Sequence, residues 1–244
     1  MAHQERRKRM NGQLDYKTAI KDTLPTVFGY IGIGIAFGVV GHAAGLHLFV
    51  IFMLSAFVYA GSAQFITVSM LTVSSPVLSI ILSTFLVNSR MILMSTTLAN
   101  YLKENTLAQN MMLGTLLTDE SFALGMNKLN FSKGKLSFEW LNTANIISYL
   151  TWVGATMIGA LMGNFINDPK QLGLDFAIVA MFIGLLYLQV IADRTLPLSL
   201  QFSVILFTLV LIVLGLIFIP SNLLIIVVTL LGCGFGVMMK HVFY

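Results

Sequence analysis

The chain has 244 residues, of which 57% are hydrophobic and only 10% are charged. A soluble domain needs far more charge to cover its surface, so this composition excludes one and indicates a protein whose solvent is lipid. The net charge is +4, much of it from the basic run at residues 6–9, which we interpret as a membrane topology signal and not as a nucleic-acid site.

Long apolar runs recur along the chain and are apolar on every face, whereas the strands of a membrane barrel alternate apolar and polar residues. Because backbone groups in lipid must be satisfied internally, these runs predict an all-α integral membrane protein, a polytopic bundle of about eight transmembrane helices. Residues 1–23 would form a basic cytoplasmic N-terminus and residues 24–240 a single transmembrane domain. The predicted segments are 24–44, 48–73, 77–100, 107–127, 141–163, 174–192, 197–219 and 221–239.

The distribution of lysine and arginine favours eight crossings, although seven stay open because segment 107–127 is rich in polar residues. If the N-terminus is cytoplasmic and all eight segments cross, only Lys103 and Lys170 lie outside. If 107–127 does not cross, the asymmetry nearly disappears, because five basic residues move outside: Lys128, Lys133, Lys135, Arg194 and Lys240. We therefore expect a multi-pass protein with both termini in the cytoplasm.

Segment 24–44 contains a series of glycines. Gly34 and Gly38 are about one helical turn apart, as are Gly41 and Gly45, and small residues at this spacing let helix backbones approach closely in lipid. Helix packing is one interpretation, and a helix that bends or unwinds beside a substrate is the other. No predicted strand precedes these glycines, so a dinucleotide-binding fold is not indicated.

Segment 48–73 carries small residues and one amide near mid-membrane. Counting about 1.5 Å per residue from an outer start near Leu48 places Gly61 close to the bilayer centre. We predict that the helix is interrupted near Gly61–Gln64, where Ser62, Gln64 and the freed backbone groups would be available to a substrate. The alternative is an unbroken helix in which Gln64 bonds to a neighbour. Phe65 is the candidate for holding an apolar side chain.

Ionisable residues lie inside the third and fourth segments. Asn88 and Arg90 point to roughly opposite sides of a regular helix, so either the helix distorts or the two residues have different partners. Asp119 and Glu120 lie at a depth similar to that of Arg90 if the two segments are antiparallel neighbours. We predict an ion pair of Arg90 with Asp119 or Glu120, which marks either a substrate or proton site or a purely structural contact.

The remaining reactive residues indicate no further site. Cys233 is the only cysteine and is interpreted as a packing residue, and Trp140 fits an aromatic belt at the membrane surface. The sequence contains no Cys/His cluster with metal-ligand spacing, no Ser/His pair, no zinc motif and no P-loop. We therefore predict no metal, no cofactor and no enzymatic activity.

Four groups of residues, in this order and spacing over about residues 24–125, resemble the branched-chain amino acid exporter family whose large subunits are called the AzlC (azaleucine resistance) type. They are Pro25 with the glycines of 29–38, Ser55 with the run Ala-Gly-Ser-Ala-Gln-Phe at 60–65, Asn88-Ser89-Arg90 with Leu93 and Leu98, and Asp-Glu-Ser-Phe-Ala at 119–123. Many relatives carry a histidine directly after the arginine. Here that position is Met91, so the resemblance implies no proton-carrying role for it.

The resemblance implies a secondary transporter of the bacterial plasma (inner) membrane that exports branched-chain, hydrophobic amino acids with the proton gradient. It also implies a small hydrophobic AzlD-type partner subunit. Arg90 or the amides of the broken second segment would take a carboxylate, and Asp119 or Glu120 an ammonium group or the coupling proton. The candidate substrate-binding or coupling residues are Gly61, Ser62, Gln64, Phe65, Asn88, Arg90, Asp119 and Glu120.

Two other functions stay open at this point. One is a non-transporting membrane assembly or scaffold subunit, and the other is a permease for another small zwitterionic or anionic solute. The polar residues distributed over the second to fourth segments favour a transport pathway over a scaffold.

Overall fold

The computed structural model describes residues 12–165, 196–219 and 221–243, together with positions 179, 183–184, 186–187 and 190. These residues fall into two compact units, Met1–Leu185 and Leu186–Tyr244, which are described separately. Apart from those few positions, the predicted segment 174–192 lies outside the described residues.

Every regular element in the described ranges is helical, which confirms the predicted all-α membrane fold. In the first unit the helices are α1 Tyr16–Ala43, α2 Leu48–Met53, α3 Gly61–Thr72, α4 Val77–Asn88, α5 Arg90–Ala99, α6 Leu107–Thr115, α7 Asp119–Leu129 and α8 Phe138–Met162. A π-helical turn, Leu54–Val58, continues α2, and a 3-10 turn, Gly163–Phe165, follows α8. The second unit contains α9 Leu198–Phe218 and α10 Ser221–Phe243.

Four stretches of the described chain are long and apolar enough to cross a membrane. They are Tyr16–Ala43, Val77–Ala99, Phe138–Met162 and Leu198–Phe218. The count of eight crossings stays a prediction. The first helix begins at Tyr16, earlier than predicted, because the Asp15 side chain accepts a hydrogen bond from the Thr18 amide at 3.1 Å and caps the helix there. The same contact with Thr18 lowers the pKa of the Asp15 carboxyl.

Helices α1 and α8 pack backbone against backbone. A Cβ atom on Gly38 would collide with the Thr156 carbonyl oxygen, and one on Gly159 would collide with the Ile35 carbonyl. Since α1 also runs unbroken from Gly29 to Gly41, helix packing is the correct interpretation of the pair Gly34 and Gly38. Gly45 lies beyond the end of α1 with a positive φ of 76°.

Three of the predicted segments are interrupted. The second breaks at Tyr59 and Ala60, where the π-helical turn ends and Tyr59 adopts a left-handed conformation with φ of 41°. This confirms the predicted interruption and places it just before Gly61. The third segment turns at Ser89, between α4 and α5. The helix therefore does distort between Asn88 and Arg90.

The fourth segment was predicted as one continuous helix, 107–127, and that prediction is wrong. It consists of α6 and α7, separated by a short non-helical stretch. The cause is local, because the Thr118 hydroxyl accepts from the Ser121 amide at 3.2 Å while the Ser121 hydroxyl accepts from the Thr118 amide at 2.9 Å. This reciprocal cap starts a new helix at Asp119.

In the described part of the second unit, the two long helices α9 and α10 are apolar. Phe207 of α9 stacks on Phe235 of α10 with ring centroids 4.0 Å apart. Cys233, interpreted from the sequence as a packing residue, is exposed on α10. All of the candidate site residues belong to the first unit.

Candidate functional site

The three interruptions meet at a small cavity in the first unit. Helices α3, α5 and α7 begin there, with Gly61, Arg90 and Asp119 as their first residues. The first turns of α3 and α7, which follow extended residues, carry unpaired N–H groups and a partial positive charge, whereas Ser89 before α5 keeps a helical conformation. The volume of the cavity is about 20 Å³, which is room for a water molecule. It is lined by Tyr30, Tyr59, Ala60, Gly61, Ser62, Arg90, Met91, Thr118, Asp119, Glu120 and Trp152.

An ion pair joins α5 to α7 at the cavity. Arg90 Nη2 lies 2.6 Å from Asp119 Oδ2 and donates to the Ser62 hydroxyl at 2.9 Å. The predicted pairing of Arg90 is therefore made with Asp119. The second carboxylate oxygen, Asp119 Oδ1, is buried and has no hydrogen-bond partner among the described residues. Asp119 thus keeps one acceptor for a donor that enters the cavity.

The second acidic residue has a different environment. Glu120 Oε2 accepts a hydrogen bond from the Tyr30 hydroxyl at 2.7 Å, and the same hydroxyl lies 2.8 Å from that of Thr118. Because a phenol has one proton to donate, the Tyr30 oxygen accepts from Thr118 while it donates to the carboxylate. Within the described ranges Glu120 forms no ion pair. The cavity therefore presents two carboxyl groups and one guanidinium.

Gln64 connects the two halves of the broken second segment. Its side chain is fully buried. Its Nε2 donates to the Ser55 hydroxyl at 3.1 Å, and its Oε1 accepts from Trp152 Nε1 at 3.0 Å. Since an indole nitrogen only donates, the orientation of the amide is set by its partners.

Most of the candidate residues line the cavity, namely Gly61, Ser62, Arg90, Asp119 and Glu120. Gln64, Phe65 and Asn88 do not. Phe65 packs edge to face on Phe37 of α1, with ring centroids 5.2 Å apart, because one turn beyond the break it faces α1. Asn88 ends α4 on the other side of the turn at Ser89.

Several residues that line the cavity were not predicted from the sequence. Trp152 lies in the middle of a predicted span and Tyr30 lies more than one helical turn inside another, not at the membrane surface, where aromatic residues with a polar atom are common. That position was a usable signal that their polar atoms have buried partners. Thr118 directly precedes two acidic residues and Ser121, an order typical of a helix start.

A second polar cluster ties α7 to α1 and α8. Lys128 Nζ lies 2.7 Å from Asp22 Oδ2, and Trp140 Nε1 donates to the same oxygen at 3.1 Å. Trp140 is fully buried, so its interpretation as an aromatic-belt residue is wrong. Asp22 precedes Tyr30 by about two helical turns, roughly 12 Å along α1, so this cluster is separate from the cavity.

Comparison with known proteins places these residues in a family context. The family model described as AzlC protein matches residues 25–166, a range that contains every residue of the cavity. An uncharacterized membrane protein of Helicobacter pylori (strain J99) is 28% identical over 170 residues, which cover 70% of this chain and 73% of the relative.

Two relatives with more specific names are similar over a comparable share of the chain. The branched-chain amino acid transport protein AzlC of Bacillus subtilis is 25% identical over 171 residues, covering 69% of this chain and 65% of the relative. The inner membrane protein YgaZ of Escherichia coli K12 is 27% identical over 179 residues, covering 72% and 73%. No solved structure matches the chain.

Proposed function

Because this chain belongs to the AzlC family of membrane proteins, we propose that it is a secondary transporter that exports branched-chain, hydrophobic amino acids across the bacterial plasma (inner) membrane. A role in membrane transport agrees with the family and with the name of the Bacillus subtilis relative. One observation carries the finer proposal: the N-termini of α3 and α7 and the Arg90–Asp119 pair meet at one cavity of the first unit.

An amino acid presents three groups to its site, and the cavity has a counterpart for each. The amides at the start of α3, the Ser62 hydroxyl and the Arg90 guanidinium suit the carboxylate. The free oxygen of Asp119 suits the ammonium group, because it is a buried acceptor without a donor among the described residues. Trp152 and Met91, which also line the cavity, are proposed to contact the apolar side chain of the substrate, the role predicted from the sequence for Phe65.

The two carboxyl groups are proposed to differ in role. Asp119 is held against Arg90 at 2.6 Å, so it balances the guanidinium and meets the ammonium group. Glu120 is held by the Tyr30 hydroxyl at 2.7 Å, so protonating it would leave no cation of the described site unbalanced. We therefore assign the coupling proton to Glu120.

Transport requires the cavity to widen. At about 20 Å³ it accommodates a water molecule and not an amino acid. The interruptions before α3, α5 and α7 supply backbone positions at which half-helices could tilt, as in other transporters built from broken helices. Widening at these breaks would open the site without unfolding the packed α1–α8 pair.

The remaining parts of the proposal concern topology and assembly. Residues 1–23, which contain the basic run, lie in the cytoplasm together with the C-terminus. Residues 24–240 form the transmembrane domain. A small hydrophobic subunit of the AzlD type completes the exporter, as the family resemblance implies. The proposed topology agrees with the lysine and arginine distribution of the sequence.

Counterflow in liposomes tests the function. Purified protein, with and without the small subunit, is reconstituted with leucine, valine, alanine or glutamate inside in unlabelled form, and uptake of the same labelled amino acid is followed in each case. We expect uptake of leucine and valine above empty liposomes and little uptake of glutamate. If glutamate alone is taken up, the chain is a permease for another solute. If nothing is taken up with the partner present, it is an assembly subunit.

A further inference from the structure

We propose that Trp152 determines which side chains the transport cavity accepts, and that Gln64 is the residue that positions Trp152. The inference rests on the proposed function, since it concerns the apolar wall of the same cavity. It assigns Gln64 an indirect role, because its side chain does not line the cavity.

The indole of Trp152 is fixed between two neighbouring elements. A Cβ atom on Gly61 would lie 2.9 Å from Trp152 Cη2, so the ring reaches the start of α3 only because that residue is glycine. On another side the Tyr30 ring packs edge to face, with centroids 5.2 Å apart and planes at 73°. Trp152 is only 3% exposed, so its ring has little room to move.

The Trp152 ring can affect selectivity because polar residues of the cavity would hold the substrate in one position. Arg90, Ser62 and Asp119 would fix the carboxylate and ammonium ends of an amino acid, which are common to all substrates. The space left for the substrate's side chain is then limited by the other residues that line the cavity. Among these, Trp152 has the largest side chain. A rigid apolar wall discriminates ligands that differ by single methylene groups.

The amide of Gln64 holds this wall in place. Its Oε1 accepts from the indole at 3.0 Å and its Nε2 donates to Ser55 at 3.1 Å. Gln64 and Ser55 are both fully buried. The chain of bonds therefore runs from the π-helical turn before the break, through α3 after it, to the indole on α8. A Leu at position 64 would keep most of the volume and remove both bonds.

The transport experiment compares two variants with two matched controls. Trp152→Phe and Gln64→Leu are paired with Trp140→Phe and Asn145→Leu. Trp140 is also a fully buried tryptophan whose indole donates a hydrogen bond, and Asn145 is a fully buried amide that donates to the Leu113 carbonyl at 3.3 Å. Neither control residue lines the cavity.

The measured quantity is the ratio of kcat/KM for phenylalanine to that for valine in liposomes. We expect Trp152→Phe to raise it by roughly tenfold or more, the scale of discrimination by apolar pockets. Gln64→Leu should shift the ratio in the same direction by less, and both controls should leave it unchanged. A fall in rate that is equal for both substrates in the two cavity variants would overturn the inference, since a merely structural role would produce that pattern.

A second readout does not depend on transport. The chain has two tryptophans, so in a Trp140→Phe background the tryptophan fluorescence of the full-length protein, excited where tyrosine does not absorb, comes from Trp152 alone. Adding Gln64→Leu should lower the anisotropy of this emission and increase its quenching by acrylamide, while adding Asn145→Leu should change neither. Unchanged emission would overturn the positioning role even if the chain transports no amino acid. If the wild type transports none, the proposed function fails and the selectivity claim with it.

Discussion

The Tyr30 hydroxyl of α1 and the Glu120 carboxylate of α7 lie 2.7 Å apart, although 90 positions separate them in the sequence. This bond joins the unbroken helix α1 to the first turn of a half-helix whose other acidic residue is occupied by Arg90. The two carboxyl groups are adjacent in sequence but have different partners, which is the basis for giving them different roles.

The role of Glu120 predicts a separation of two transport modes. Glu120→Gln keeps the shape and a hydrogen bond to Tyr30 but removes the group that would carry the proton. We expect leucine exchange to persist in liposomes while export driven by a proton gradient falls to background. Glu139→Gln is the control, because Glu139 is exposed at the start of α8. Equal loss of both modes in Glu120→Gln would count against Glu120 as the proton carrier.

If Asp119 binds the ammonium group, its substitution should weaken the preference of the site for ligands that carry an amine. Asp119→Asn removes the negative charge that would meet that group, so affinity for leucine should fall while affinity for its analogue without the amine, 4-methylpentanoate, changes little. A charge-assisted hydrogen bond is worth about 1.5–3 kcal/mol, so we expect a change of roughly tenfold or more in the ratio of the two affinities. Competition with labelled leucine measures it. An equal loss of affinity for both ligands would mean that Asp119 only balances the charge of Arg90.

The packing of α1 on α8 predicts opposite effects of one substitution at two glycines. Gly38→Ala places a Cβ atom against the Thr156 carbonyl, whereas a Cβ atom on Gly29 meets nothing within 4 Å. Overpacking costs about 1–3 kcal/mol, while Gly→Ala at an unhindered helix position gains roughly 0.5–1 kcal/mol. Thermal unfolding of the purified protein should show a lower midpoint for Gly38→Ala and an equal or higher one for Gly29→Ala. A matching decrease in both would mean that α1 does not approach α8 through Gly38.

The buried pair of Lys128 and Asp22 predicts a non-additive effect on stability. Lys128 is 4% exposed in its side chain and Asp22 is 28% exposed. Asp22→Asn leaves an uncompensated buried ammonium group, at a cost of about 3 kcal/mol. Adding Lys128→Met should recover much of that loss, because the unpaired charge is removed with its partner. Thermal unfolding of the two single variants and the double variant measures the coupling, and strictly additive shifts would rule it out.

Much of the fold follows from the sequence, because hydropathy alone locates the ends of most described helices to within a few residues, although the first helix begins at Tyr16, well before the predicted residue 24. The break before Gly61 was also predictable, since small residues and an amide at mid-depth are unfavourable for an uninterrupted lipid-facing helix. The Arg90 pair followed from depth, because an arginine so far from the membrane surface needs a partner.

The sequence could not show which side chains of distant helices reach the site. Trp152 lines the cavity because α8 packs closely on α1 and because Gly61 leaves room for the ring, and both depend on tertiary contacts. The direction of Phe65, toward Phe37 and away from the cavity, depends on how α3 restarts after the break. The break in the fourth segment was missed because its polar residues were assigned to a weak span and not to the helix cap that Thr118 forms.

The central claim, that the cavity around Arg90 is the transport site, is tested most directly by counterflow of labelled leucine through Arg90→Ala in liposomes, normalised to folded protein. Arg90→Lys is run beside it, because it keeps the charge and loses the bidentate geometry. We expect leucine counterflow by the wild type and none above empty liposomes for Arg90→Ala. Arg90→Lys should be well folded but should transport poorly. Near wild-type counterflow by folded Arg90→Ala would contradict the central claim.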